Sequence, residues 1–169
     1  MLNFKAVLKF VPLLFFHSSK RFREIYGNVG ACYQLEASTK LNNCFDAWAN
    51  FDWFSKQGRS DGFNDPTRVS IANVSLGIRF PYQFCEQFTT YIGIGPSFSK
   101  IMLKNKSQCC HENVSKLAIG GVLKTGFYYF INRHIFIDVF VDYLYQPVNF
   151  ETHVDMGGIK TGIGVGVKF

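Results

Sequence analysis

Long apolar runs are missing from this 169-residue chain. The longest, VPLLFF from Val11 to Phe16, falls far short of the roughly 18 to 20 residues of a helical membrane span. Helical spacing is missing as well, since no segment repeats its apolar residues at intervals of three and four over a useful length. No C-x-x-C occurs, and the five cysteines (Cys32, Cys44, Cys85, Cys109 and Cys110) fall at no zinc spacing. Their odd number leaves at least one thiol free or paired between molecules, so the pairing and the redox compartment stay open. The net charge of +6 is scattered and builds no basic helix, which argues against nucleic acid as a partner.

What is present is aromatic and alternating. Phenylalanine alone contributes 19 residues, and hydrophobic residues make up 47% of the chain. The mean hydropathy is nevertheless only +0.04, so apolar and polar residues are interleaved rather than blocked. The closing segment GGIKTGIGVGVKF places Ile159, Ile163, Val165, Val167 and Phe169 at alternate positions, with Thr161 the one interruption. The same two-residue period recurs upstream. Ile135, Ile137, Val139, Val141, Tyr143 and Tyr145 oppose Phe136, Asp138, Phe140 and Asp142. Leu117, Ile119, Leu123, Phe127 and Tyr129 oppose Lys116, Gly120, Lys124 and Gly126, and Phe88, Ile92, Ile94 and Phe98 oppose Thr89, Tyr91, Gly93 and Ser97. Segments around 72–80, 45–53 and 29–37 follow the same rule. Alternate side chains of a strand point to opposite faces, so each segment has one largely apolar face.

These are seven strands, and residues 1–16 supply an eighth, with Phe4, Ala6, Leu8, Phe10, Leu14 and Phe16 opposite Lys5, Val7, Lys9 and Val11. The same residues also fit a signal-like segment, and Pro12 would remove one ladder donor from a strand. If the start codon is misassigned or the chain is a fragment, a signal peptide would lie upstream of residue 1. The connections alternate between tight turns and longer polar loops. The sequence therefore predicts an all-β chain, one domain over residues 1–169, folded as an eight-stranded antiparallel up-and-down transmembrane barrel.

The two faces decide the solvent. The apolar face is bulky and free of charge through the middle of each strand. The other carries Gly, Ser and Asn, large aromatics such as Trp48 and Tyr91, and isolated charges. That arrangement suits lipid outside and a narrow, filled lumen inside. Lumen candidates are Glu36, Asp46, Asp52, Asp138 and Asp142 against Lys5, Lys9, Arg79, Lys116, Lys124, Lys160 and Lys168, a mixed set able to pair. Aromatics near the strand ends (Phe51, Trp53, Tyr143 and Tyr145; Phe80, Phe88, Phe127, Tyr129 and Phe169) would form two interfacial girdles.

The terminal strand, with Gly164, Val167 and Phe169, resembles the carboxy-terminal assembly signal of outer-membrane barrels, although Gly162 stands where a polar residue is usual. The whole chain resembles the small OmpA/OmpX-type outer-membrane barrels, and SKRFREIYG, Ser19 to Gly27, looks like chlamydia-related members. The resemblance implies residence in the bacterial outer membrane, contact with its lipids and delivery by the barrel-assembly machinery. It also implies a structural or adhesin-like role towards a host or envelope protein. The loops near Lys20–Glu24, Lys56–Thr67, Lys104–Asn113 and Asn149–Met156 would carry that role.

Reactive motifs are weak. His17-Ser18-Ser19 contains the H-x-S of lipid A deacylases, where Ser would attack an acyl ester with His as base, but it sits at the first loop rather than on a late strand. Cys109-Cys110-His111 are sequence neighbours, which rarely converge on one ion, and His17, His111 and His153 are ordinary loop histidines. No catalysis, cofactor or metal is expected. Two rival readings are a lipid-modifying barrel enzyme and a soluble calycin-like barrel with an apolar ligand in its interior.

Overall fold

A computed structural model describes residues 6–42, 44–59, 66–105, 113–149 and 153–169. In chain order the elements are β1 (Ala6–His17), α1 (Lys20–Tyr26), β2 (Val29–Lys40), β3 (Asp46–Arg59), β4 (Pro66–Gln83) and β5 (Phe88–Asn105). They continue with β6 (Asn113–Phe130), β7 (Ile135–Tyr145), the short pair β8 (Pro147–Asn149) and β9 (His153–Asp155), and β10 (Gly158–Lys168). Eight strands close an antiparallel barrel in the order β1-β2-β3-β4-β5-β6-β7-β10, and β10 returns to β1. Closure leaves no sheet edge unpaired in the wall. The β8–β9 hairpin forms a separate two-stranded sheet in the last connection. Among the described residues no helix is long and apolar enough to cross a membrane, a test that does not bear on barrels.

Pro12 is accommodated inside β1. It sits opposite Tyr33 of β2, while the ladder to β10 lapses at Val11 and Pro12 and resumes in register at Leu13↔Gly162. A proline lacks the N–H for such a bond, and a two-residue lapse is what the closed wall tolerates.

Two expectations need correction. Strands β3 to β6 run further than the polar composition of their ends suggested. Lys56–Arg59 and Pro66–Thr67 are paired strand, so the connection expected over Lys56–Thr67 narrows to residues 60–65. The one expected over Lys104–Asn113 narrows to 106–112. Alternation continues to those ends with Val69, Ile71 and Ile101 turned inward, and ladder bonds hold a strand whose outer side chains are polar. At the opposite end, PYQFCEQ contributes Pro81–Gln83 to β4 and leaves only Phe84–Gln87 as the turn.

The second correction is α1, within what was read as a loop. Ser19 caps it, its hydroxyl accepting from the Phe22 N–H, and Gly27 ends it with a φ of 79°, a region that favours glycine. Phe22 and Tyr26, four residues apart, both turn inward, their rings tilted against each other at 4.7 Å. Gly58 permits this docking, because a Cβ there would lie 2.4 Å from the Ile25 carbonyl oxygen.

Candidate functional site

The barrel's inner face holds the concentrated chemistry, and it falls into layers. Nearest the tight turns lies a buried ionic cluster centred on Glu36. Its carboxylate meets Lys124 at 2.9 Å, Arg79 at 3.0 Å and Lys9 at 3.3 Å. Lys9 also meets Asp138 at 2.5 Å, and Lys124 meets Asp142 at 2.8 Å. Three cations thus face three carboxylates, all 2% exposed or less. Balance matters, because a buried charge without a partner costs several kcal/mol. Asp46, at the cluster's edge and partly open to water, stands 3.5 Å from Arg79.

The bulky inner-face aromatics explain themselves here. The Arg79 guanidinium lies 5.0 Å from the Tyr91 ring and 5.2 Å from that of Tyr128, and it donates to the Tyr128 hydroxyl. Tyr91 donates to Asp138 at 3.0 Å. Lys124 sits 5.0 Å from the Trp48 ring, and Lys9 the same distance from Phe140. The rings exclude water and supply a favourable face to each cation. Glycine makes the room: a Cβ at Gly166 would lie 2.1 Å from the Phe136 ring.

A neutral polar layer follows. Lys160 pairs with Asp52, which also accepts from Asn73 at 2.9 Å and Asn50 at 3.2 Å. Ser75, Ser97 and Ser99 extend the network around Asn73, and Ser97 Oγ lies 3.0 Å from Gln146 Oε1. Above it an apolar layer of Phe15, Phe54, Ile71, Ile101 and Leu144 closes the lumen, with the Phe22 ring of α1 tilted against Phe54 at 6.4 Å. A void of about 10 Å³ remains between the last two layers, room for about one water. The described lumen is filled.

Of the charges expected inside, Glu36, Arg79, Lys124, Asp138 and Asp142 share one cluster with Asp46 at its margin, and Asp52 belongs to the layer above. Lys116 is set apart. It keeps the inward phase of β6 but lies half-buried opposite Ile101, eight residues or about 26 Å along the strand from Lys124. Lys9 and Lys160 belong to the buried pairs, and Lys5 lies outside the described residues. Reading apolar faces alone missed Tyr128 and the Asn73 serine network. The parity of Tyr128 with Lys124 and Gly126 would have placed it inward.

The terminal residues divide between the faces. Val167 and Phe169 point outward, Phe169 being 72% exposed, whereas Gly164 points inward, where a Cβ would lie 2.5 Å from Val11 Cγ2. The barrel's own packing therefore calls for a glycine at 164.

The H-x-S motif does not assemble. His17 is buried among Phe15, Phe22 and Phe54, and neither ring nitrogen has a hydrogen-bond partner among the described residues. Ser18 donates to Asp155 at 2.9 Å, and Ser19 is occupied by the helix cap. Cys109, Cys110 and His111 lie outside the described residues, as does the side chain of His153. Cys44 and Cys85 are exposed near the tight turns and Cys32 is buried within the wall. Among the described residues no group of three His, Cys, Asp or Glu could hold a metal. A calycin-like interior is overturned: the face with Leu8, Ile94, Leu117, Ile119 and Ile163 points out, and Ile119 is 69% exposed.

No protein-family model matches the chain, and no curated protein sequence matches it. Solved structures do match. The Yersinia pestis attachment invasion locus protein Ail, crystallised with the heparin analogue sucrose octasulfate, superposes with a TM-score of 0.66 at 12% identity, over 99% of this chain and 100% of that one. Neisserial surface protein A gives 0.68 at 15% identity, over 98% and 97%. The N-terminal barrel domain of Pseudomonas aeruginosa OprF gives 0.60 at 14%, over 99% and 100%. These likenesses show a shared fold, that of small eight-stranded outer-membrane barrels.

Proposed function

We propose that this chain is an integral protein of the bacterial outer membrane, with a structural or surface-binding role through its loops and no catalytic step. One observation carries the reading. A continuous outer belt of Leu, Ile, Val and aromatic side chains, many 40% exposed or more, surrounds a core of paired charges. In water such a belt would drive association, and in hydrocarbon it is the favourable solvent-facing surface. The belt's partners are membrane lipids. Gly164, Val167 and Phe169 serve as the address read by the assembly machinery. Residues Lys20–Glu24, 60–65, 106–112 and 149–156 present the surface for a host or envelope protein. That Ail, by its name an attachment protein, is built on the same fold supports a surface role. The paired lumen charges act as a structural brace.

Purified protein tests this. It should require detergent, and the unboiled band should migrate differently from the boiled one, because closed barrels resist detergent unfolding. A chain that stays monomeric at micromolar concentration without detergent would refute membrane residence.

A further inference from the structure

Among the described residues, cations on the outer face are confined to one arc of the wall. At the loop end of β3–β5, Gln57, Arg68 and Lys104 stand directly opposite one another in register, and Arg59 lies beside them across from Pro66. Lys100 lies four residues below Lys104, across from Ala72 at the margin of the apolar belt. All four cations are exposed and keep the outward phase. Like charges directly opposed on neighbouring strands repel. Among the described residues nothing on the adjoining walls offsets them: β4, β5 and β6 contain no acidic residue, and Asp46 and Asp52 of β3 face inward. The outer face at the loop end of β1, β2, β7 and β10 presents instead Phe16, Val29, Tyr143, Tyr145 and Ile159.

Height identifies the occupant. Arg68 is four residues beyond Ala72, which in a tilted strand raises it roughly 10 Å above the belt, at the depth of lipid headgroups. Lys100, at the belt's edge, is long enough to lay its stem on apolar surface and raise its ammonium toward the headgroups. A soluble polyanion would meet the loop tips first. A molecule touching Lys100 and Arg68 together must lie beside the barrel, within the leaflet.

We propose that the outer face of β3–β5, through Arg59, Arg68 and Lys104 with Lys100 beneath them, binds the phosphorylated headgroup of an anionic lipid in the outer leaflet. The inference rests on membrane residence. Arg supplies paired donors to phosphate oxygens, and the bound anion cancels the repulsion along the row.

The test compares wild type with R59Q/R68Q/K104Q, and with R68K as a charge-preserving control. Each is refolded into nanodiscs of phosphatidylcholine containing either a bisphosphorylated glycolipid or its dephosphorylated form. Lipid retained through detergent exchange is counted by native mass spectrometry. A heat-shifted gel band verifies insertion separately, and its absence from wild type would overturn membrane residence and this site together. With insertion intact, wild type should retain the bisphosphorylated lipid over the dephosphorylated one. Each cation removed should lower that preference roughly fivefold, and R68K should keep most of it. Equal retention by wild type and the triple variant would overturn the site. Arginine-dependent binding of a soluble polysulfate, with no preference among the lipids, would overturn it in favour of a polysaccharide.

Discussion

The inner and outer faces of the same strands invert the usual order of a protein. Along β7, Asp138 and Asp142 are sealed from solvent, while Val141 and Tyr143, interleaved with them, are nearly half exposed. Each face is tolerable only because of what covers it. The buried charges of the Glu36 cluster and of the Asp52–Lys160 pair are stable because each has an opposite partner and the space between is filled. On the proposed membrane residence, the outer aliphatics are stable because they meet hydrocarbon. Two solvents therefore act on one backbone, and the two-residue period of the strand keeps them apart.

Substitutions that exchange the rules of the two faces should be the most damaging. Glu36→Gln removes the carboxylate shared by Lys9, Arg79 and Lys124, and should cost about 3–5 kcal/mol in urea titrations of the refolded barrel. A cost under ~1 kcal/mol would mean that water reaches the cluster. Ile163→Lys puts a charge mid-strand on the outer face and should cost about 2–4 kcal/mol in the same assay. Ser97→Ala, which removes one hydroxyl from the neutral inner layer, should cost about 1–3 kcal/mol. Deleting Phe169 should change refolding least, by less than about 1.5 kcal/mol, because its ring is already largely exposed at the rim. In cells that deletion should nevertheless cut outer-membrane levels sharply, since the terminal aromatic is proposed as an address; unchanged levels in fractionated membranes would rule that out.

The strand period was legible because it is imposed on every residue by the pleat. Phase alone placed Glu36, Arg79, Lys124 and Asp138 on one side of the wall, and the structure places them there. Distances were not legible, because the stagger between strands decides which inward residues meet. Lys116 and Lys124 share a phase but not a layer. Strand ends were hidden by composition: Lys56 and Arg59 read as loop, yet ladder bonds carry β3 through both. The helix α1 left a readable trace in Ser19, the Phe22–Tyr26 spacing and Gly27, obscured by its shortness.

The two tryptophans report on the two faces directly. Trp48 and Trp53 lie five residues apart on β3, Trp48 turned inward at 3% exposure and Trp53 outward at 39%. Trp48→Phe and Trp53→Phe each leave a single emitter. Both variants, refolded into vesicles whose acyl chains carry bromine, can be compared with the same proteins in unbrominated lipid. Contact with brominated chains should quench Trp53 strongly and leave Trp48 nearly unchanged. Equal quenching of both, or quenching of Trp48 alone, would contradict the assignment of lipid to the apolar face.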